Sequence, residues 1–382
     1  MIPFLDLKKI NKPYETAFQE KLKLVLENGW YILGKELETF EKAFAEYCQS
    51  KYCIGVGNGF DALVLIFKGY IELGKLKKGD EVIVPTNTYI ASILAILQAD
   101  LVPVLIEPRL ESYNINPELI PEKITSKTKA ILAVHLYGQL AEMQKINEVA
   151  EKHALIVVEA AAQAHGVRKY QFLNSKSQSD ENLQFSDVTL SEGPQSASAF
   201  SFYLGKKLGC LGDGGAITTN DEKLAKVLFS LRNYGSEKKY HNEYVGVNSR
   251  LDELQAGFLN LKLPNLDSDN EKRRAIAKRY LSEIENDKIV LPFWDLSRNH
   301  VFHLFVIRTE NRAHLQEYLA QNNIQTVIHY PIPPHQQKAF SQWNNLSVPM
   351  TEKIHKEVLS LPISPIMTES DMNFVIKTLN QY

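Results

Sequence analysis

The 382-residue sequence predicts an α/β fold: a large domain on a mainly parallel sheet, residues 1–262, and a smaller carboxyl-terminal α/β domain, residues 263–382. Two observations carry this. In the first half, segments with helical spacing alternate with short apolar runs, the pattern of strand–helix–strand units. The runs are continuously apolar rather than alternating, as strands buried on both faces are. Composition agrees, since a chain of this length with 44% hydrophobic and 23% charged residues can bury a large core and divide it between domains.

Taken in order, the first clear element is a helix carrying Leu37, Phe40, Phe44, Tyr47 and Cys48 on one stripe. Strands are expected at 81–85, 102–106, 130–134 and 155–159, with helices between them at 91–98 and 141–153. Residues 169–196 are rich in Ser, Gln, Asn and Asp and read as an exposed, poorly ordered insertion. A strand at 216–219 and a helix over 221–232 follow, then a polar stretch, 263–270, leading into a charged helix at 271–285. A strand at 303–308 and helices at 312–322 and 372–379 build the smaller domain.

The net charge of −2 and the dispersed lysines and arginines leave no basic stripe for nucleic acid or a membrane surface. No apolar run reaches transmembrane length, and the amino terminus lacks the basic and apolar regions of a signal peptide. A cytoplasmic protein is expected. Cys48, Cys53 and Cys210 are odd in number and lack metal-site spacing, so reduced buried thiols are their expected state.

The residue with the most chemical promise is Lys206, set between the aromatic stretch Phe200-Ser201-Phe202-Tyr203 and the glycines at 205, 209, 212, 214 and 215. A lysine held against apolar walls loses hydration, its ammonium is disfavoured, and the amine becomes a nucleophile. The alternative is that Lys206 and Lys207 are surface charges on a turn. Gly55-Val56-Gly57-Asn58-Gly59-Phe60 joins a short strand to a helix, where the amides of Gly59 and Phe60 would face an anion; Asn58 and Gly59 also suit a plain turn and cap. Gln163 and His165 follow the strongest strand, and a lone histidine there is more often structural than catalytic. Tyr89 offers an aromatic face for a flat ligand, or a core contact.

Together with Gly29-Trp30-Tyr31-Ile32-Leu33-Gly34, His135-Leu136-Tyr137-Gly138-Gln139, Gly212-Asp213-Gly214-Gly215 and Asn248-Ser249-Arg250-Leu251-Asp252-Glu253, these motifs resemble, nearly end to end, the DegT/DnrJ/EryC1/StrS sugar aminotransferases. The resemblance implies fold type I and pyridoxal 5'-phosphate as cofactor, with no metal. It implies Lys206 as Schiff-base lysine and proton shuttle, the Gly59 and Phe60 amides with Ser201 on the phosphate, Tyr89 on the ring and Gln163 near the 3'-oxygen. Asn248 would reach the neighbouring subunit's phosphate, making a homodimer, and Arg250 and His329 would contact the nucleotide sugar. The segment Ile328-His329-Tyr330-Pro331 is similar to the branch that aminates C3 of dTDP-linked 3-keto-6-deoxyhexoses, with glutamate the usual amino donor. The pair His329 and His335 could instead suggest a metal, but the loop has three prolines and no neighbouring acid or cysteine.

Five positions depart from the family pattern, and all are expected near the cofactor pocket. Ala160 stands where the family has the aspartate that keeps the pyridine nitrogen protonated, and Phe60 where it has a small hydroxyl residue. Lys207 stands for asparagine, and Leu140 and Leu204 for prolines. Glu159 cannot substitute, because successive strand residues face opposite ways. A catalytically impaired homologue that binds nucleotide sugar or regulates an active partner is therefore the second reading. A third, a nicotinamide-dependent oxidoreductase using Gly55 to Gly59, lacks the acidic residue such a site needs on its second strand.

Overall fold

The computed structural model describes residues 1–172, 185–188, 190, 196–238 and 240–382. Thirteen strands are present among them: β1 Tyr52–Val56, β2 Glu81–Pro85, β3 Val102–Ile106, β4 Thr128–Val134, β5 Ile156–Ala160, β6 Lys169–Phe172, β7 Phe185–Val188, β8 Ala197–Ser201, β9 Gly215–Thr219, β10 Ser236–Lys238, β11 His241–Asn242, β12 Phe305–Arg308 and β13 Val358–Leu361. Seven form one sheet in the order β1-β9-β8-β5-β4-β2-β3. Strands expected at 81–85 and 102–106 have those bounds, and the next two differ by one or two residues at an end.

The sheet is parallel except for β9, which runs antiparallel to both neighbours, β1 and β8. Its direction follows from its connection. The loop over 202–214 holds no helix, so the chain turns back beside β8 instead of crossing over a sheet face. Phe202 N donates to Gly214 O at 2.7 Å and Leu204 N to Gly212 O at 3.0 Å, closing that loop on itself.

Phe40 and Phe44, buried on the helix Lys35–Tyr47, pack edge-on against Phe202 with ring centres 5.3 Å apart, and Phe44 meets Phe200 at 5.0 Å. That helix begins at Gly34, which has no side chain to cap its first amides. The cap comes from elsewhere: the Glu253 carboxylate, itself buried, accepts from Gly34 N and Glu36 N at 2.9 Å and from Leu37 N at 3.0 Å.

A second core gathers Ile276, Tyr280, Phe302, Phe305, Leu315, Leu319, Val375 and Leu379 around the antiparallel pair β12–β13. Ile2 belongs to it, paired with Ile324. The charged helix expected at 271–285 starts earlier, inside the polar stretch, and runs from Leu266 to Glu283. Asp267 and Asp269 favour its positive end, and Asn270 is buried, donating to His165 O at 3.0 Å. The Glu107 carboxylate, just past β3, accepts from Met350 N and Thr351 N at 2.9 Å, capping the helix Pro349–Glu357. Val301 N donates to Gly138 O and Leu304 N to Tyr137 O, so the smaller core is stitched to the carboxyl end of β4.

Of the expected insertion, β6 and β7 pair as an antiparallel ribbon, and 173–184, 189 and 191–195 lie outside the described residues. Among the described residues no helix is long and apolar enough to cross a membrane.

Glu253→Ala removes the acceptor of three helix-start amides and is expected to cost about 3 kcal/mol, with Glu253→Gln costing less. A shift of the urea midpoint at unchanged slope measures it, and a midpoint like that of the wild type would show that water caps the helix equally well.

Candidate active site

The strands β1, β2, β4, β5 and β8 end on one side of the sheet, and the loops that follow them surround a cavity of about 620 Å³. Lys206, Gly59, Phe60, Tyr89, Gln163, Ser201 and His329 all line it. Asn248 and Arg250 do not.

The floor is made by close approach. A Cβ on Gly59 would lie 2.5 Å from Ser201 Cβ, and one on Gly215 would lie 2.4 Å from the Asn58 carbonyl, so two glycines let the helix Gly59–Glu72 start against the ends of β8 and β9. Asn58 caps this helix by accepting from Asp61 N at 2.8 Å, and the Gly59 and Phe60 amides lie at its positive end. Ser249 accepts from Gly57 N at 3.0 Å and donates to Asp61 at 2.6 Å. It braces the same turn.

Lys206 sits in the closed loop after β8, and loss of hydration pushes its amine down to about 8. The loop is held from behind by buried Lys262, whose Nζ donates to Gly209 O at 2.7 Å and Asn11 Oδ1 at 2.9 Å. Lys207 turns away from the cavity and donates to Gln163 O at 3.0 Å. Desolvation, then the charges of Arg273, Arg274 and Lys206, hold its amine well below the usual lysine range. Neither lysine is an ordinary surface charge.

The Gln163 amide is committed to the protein at both ends: Oε1 accepts from Tyr137 N at 2.5 Å, and Nε2 donates to Tyr330 Oη at 3.1 Å, leaving one N–H. Tyr89 is about half exposed, with its ring 5.2 Å from that of Tyr330. His329 bonds Ser360 Oγ through Nδ1 at 2.9 Å, and burial with the nearby Lys206 charge pushes it down to about 4, so it is neutral at pH 7. His335 faces Glu352 instead, at 3.3 Å, so the two histidines serve different partners. His165 lies in the core beside Phe200 and Phe202 and outside the cavity lining, its imidazole held low by burial and by Lys207 and Lys206.

Asn248 is exposed on the outside of its own subunit, and Arg250 bonds Asn233 Oδ1 at 2.9 Å and lies over the Tyr234 ring. Neither reaches this chain's cavity. The five departures are not clustered as expected: only Ala160 and Phe60 line the cavity. Lys207 lies behind its wall, Leu140 packs between two core clusters, and Leu204 faces a groove beside Leu7 and Phe18. Proximity along the chain misled here, because neighbouring loop residues turn to opposite sides.

Sequence reasoning missed Phe4, Leu5, His303 and Tyr330, which complete the wall. They come from the chain's start and the smaller domain, far in sequence from the lysine loop. Only Tyr330 lay inside a recognised motif.

A desolvated lysine at the carboxyl ends of a mainly parallel sheet, opposite a helix start suited to phosphate, defines a fold type I pyridoxal-phosphate-dependent transferase. The chain belongs to the DegT/DnrJ/EryC1/StrS aminotransferase family, whose model matches residues 13–380. It is 54% identical over 382 residues to the dTDP-3-amino-3,6-dideoxy-alpha-D-galactopyranose transaminase of Aneurinibacillus thermoaerophilus, covering 100% of this chain and 99% of that protein. It is 42% identical to the dTDP-3-amino-3,4,6-trideoxy-alpha-D-glucose transaminase of Streptomyces venezuelae, covering 100% and 96%. The structure of S. venezuelae DesV in complex with a ketimine intermediate superposes with a TM-score of 0.91 over 100% of this chain and 98% of that one, at 42% identity.

The cavity fits the cofactor in three respects: the Gly59 cradle for phosphate, the Tyr89 face for a ring and the desolvated Lys206 amine for an aldehyde. It departs in a fourth. Ala160 offers no carboxylate, and Glu159 is turned away, accepting from His135 Nε2 at 3.0 Å while Ala141 N occupies the other ring nitrogen.

Because the Lys206 ammonium loses its proton near pH 8, roughly a tenth of the amine is neutral at pH 7, against well under a thousandth for an ordinary lysine. Its reaction with a small aldehyde should rise about tenfold per pH unit and level off above 8. A rate still climbing at pH 10 would mean the amine is hydrated.

Proposed function

We propose that the protein transfers an amino group to a nucleotide-linked keto-deoxysugar, of the dTDP-3-keto-6-deoxyhexose class, with glutamate as donor. The observation that carries this reading is the Lys206 amine, desolvated in a cavity whose floor is a helix start and whose roof is aromatic. The names of the two transaminase relatives support the substrate class.

Gly59, Phe60 and Ser201 would hold the cofactor's phosphate, Tyr89 its ring face, and Gln163, with its remaining N–H, its phenolic oxygen. Pyridoxal phosphate, when bound, supplies a carbonyl that accepts amines and a ring that accepts electrons. Lys206 is the residue that would hold it through Nζ, and the same Nζ would move a proton at the reacting carbon. Neutral His329 offers a hydrogen bond to the sugar without adding charge. Tyr330, Leu304 and Phe4 add apolar surface to the wall.

The active unit in this reading is a homodimer. Asn248 and Arg250 do not line their own cavity, and apolar side chains stand exposed close to them in sequence, Tyr240 and Val245, and on or just after the helix Glu15–Asn28, Leu24, Leu26 and Trp30. Covering such a surface favours association. A dimer that brings Asn248 to the partner's cavity and Arg250 to its sugar nucleotide would use them as the family resemblance implies. Three buried free cysteines suit a reducing, cytoplasmic setting.

Borohydride reduction of the cofactor-loaded protein, followed by peptide mapping, should place the label on Lys206. Label elsewhere, or none, removes the cofactor assignment.

Sedimentation at micromolar concentration should give a dimer. A monomer counts against a shared site.

Ala160→Asp adds a charge-assisted acceptor, worth about 1.5–3 kcal/mol, and should speed amino transfer from glutamate about ten- to a hundredfold. Phe60→Thr is made alongside, because a bulky side chain at the phosphate end opposes the gain. If the wild type and both variants bind cofactor but none transfers an amino group from any donor, the impaired-homologue reading replaces this one.

A further inference from the structure

The first five residues form a strap across the cavity. Ile2 is fixed in the smaller core, with its N–H on Asn323 O at 2.8 Å and its carbonyl accepting from Gln325 N at 3.0 Å. Phe4 N donates to Gln325 Oε1 at 3.3 Å, which fixes the next turn of the strap. Phe4 and Leu5 then line the cavity. The Phe4 ring lies 5.7 Å from the His329 ring, and His329 is close enough to Lys206 to feel its charge. Leu5 Cδ2 closes on Gly205, the residue before the lysine, at 3.7 Å from where a Cβ would stand. The strap therefore stands one side chain away from the reacting amine.

Its chemistry is one-sided. Neither side chain donates or accepts a hydrogen bond, and the Phe4 N–H is already used. The next residue, Asp6, turns its carboxylate to Lys9 N at 2.9 Å, capping the following helix instead of facing the cavity. A hydroxyl or carboxylate placed against Phe4 and Leu5 would give up water and gain no hydrogen bond from either side chain, whereas a methyl group would lose nothing.

Resting on the aminotransferase reading above, we infer that Phe4 and Leu5 are specificity-determining residues: they form the wall that takes the C6 methyl of a 6-deoxyhexose and disfavours sugars hydroxylated or charged at that carbon. A hexose whose ketone carbon faces Lys206 has another edge to place against the neighbouring wall, and the strap is an apolar part of that wall. The set of residues that reads the sugar thus includes the chain's first turn as well as the histidine of the smaller domain.

The test is calorimetric titration of the cofactor-loaded protein with dTDP-glucose, its 6-deoxy counterpart and dTDP alone. Wild type should prefer the 6-deoxy sugar by roughly ten- to a hundredfold, the scale on which an apolar pocket rejects an added hydroxyl. Phe4→Ser and Leu5→Ser should shrink that preference to about twofold and leave dTDP binding unchanged, while Phe4→Leu, which stays apolar, should keep it. Phe4→Ser gives up the Phe4 packing on the main core, but the Ile2 core contact and the backbone bonds of Ile2 and Phe4 to Asn323 and Gln325 stay in both serine variants. Equal binding of the two sugars by wild type, a preference that survives both serine variants, or a parallel loss of dTDP affinity would overturn the wall. If wild type binds neither sugar nucleotide, the sugar-nucleotide reading itself falls, and the wall with it.

Discussion

Keeping the Lys206 amine out of water is the constraint on which most of this architecture depends. A lysine in a glycine-rich loop would ordinarily reach solvent. Here the loop is closed by Phe202 to Gly214 and Leu204 to Gly212, and Lys262 grips Gly209 O from behind. The same closure turns β9 antiparallel, so the one irregularity of the sheet and the reactivity of the lysine have a common origin. Phe200 and Phe202 anchor the loop in the core through Phe40 and Phe44, and the helix bearing those two is in turn capped by Glu253. The chemistry at one atom is thus supported through three layers of packing.

What was legible in the sequence follows from how such folds place their sites. Loops after parallel strands gather at one sheet edge, so motifs that followed strands, at 58–60, 88–89, 163 and 201–206, could be assigned to one region. Local patterns located the central strands because buried strands are continuously apolar. They failed where contacts are long-range. The residues 358–361 are too few to show a period, yet they form β13 against β12. The stretch at 263–270 is polar in composition, but Asn270 is polar because it bonds the His165 carbonyl inside the protein. Phe4 and Leu5 carried no signal, since their role arises only when Ile2 docks more than three hundred residues away along the chain.

Asn248 and Arg250 illustrate a different limit. Both sit in a motif that resemblance ties to ligand binding, and within one subunit both point away from the cavity. A sequence motif preserves the identity of a residue without saying which side of the fold it faces. Between them Ser249 does a plainly local task, bonding Gly57 N and Asp61, so adjacent residues of one motif divide between holding the floor of this site and facing outward.

Ala160 shows why a departure at the chemical centre is compatible with an intact fold. Its carbonyl accepts from His135 N at 3.1 Å, and its register partners are Val134 and Ala199, all through the backbone. None of this needs a side chain. Restoring a carboxylate there would place a charge where Lys206 supplies the only nearby lysine amine in the lining, and where His329 is already held neutral. Removing it therefore relieves a desolvation cost while withdrawing an acceptor from the reacting ring. Glu159 makes the contrast concrete, since it is one residue away and equally buried but spent on His135 at 3.0 Å. Because the pairing contacts of Ala160 are all made by the backbone, an alanine at position 160 leaves β5 paired in register with β4 and β8.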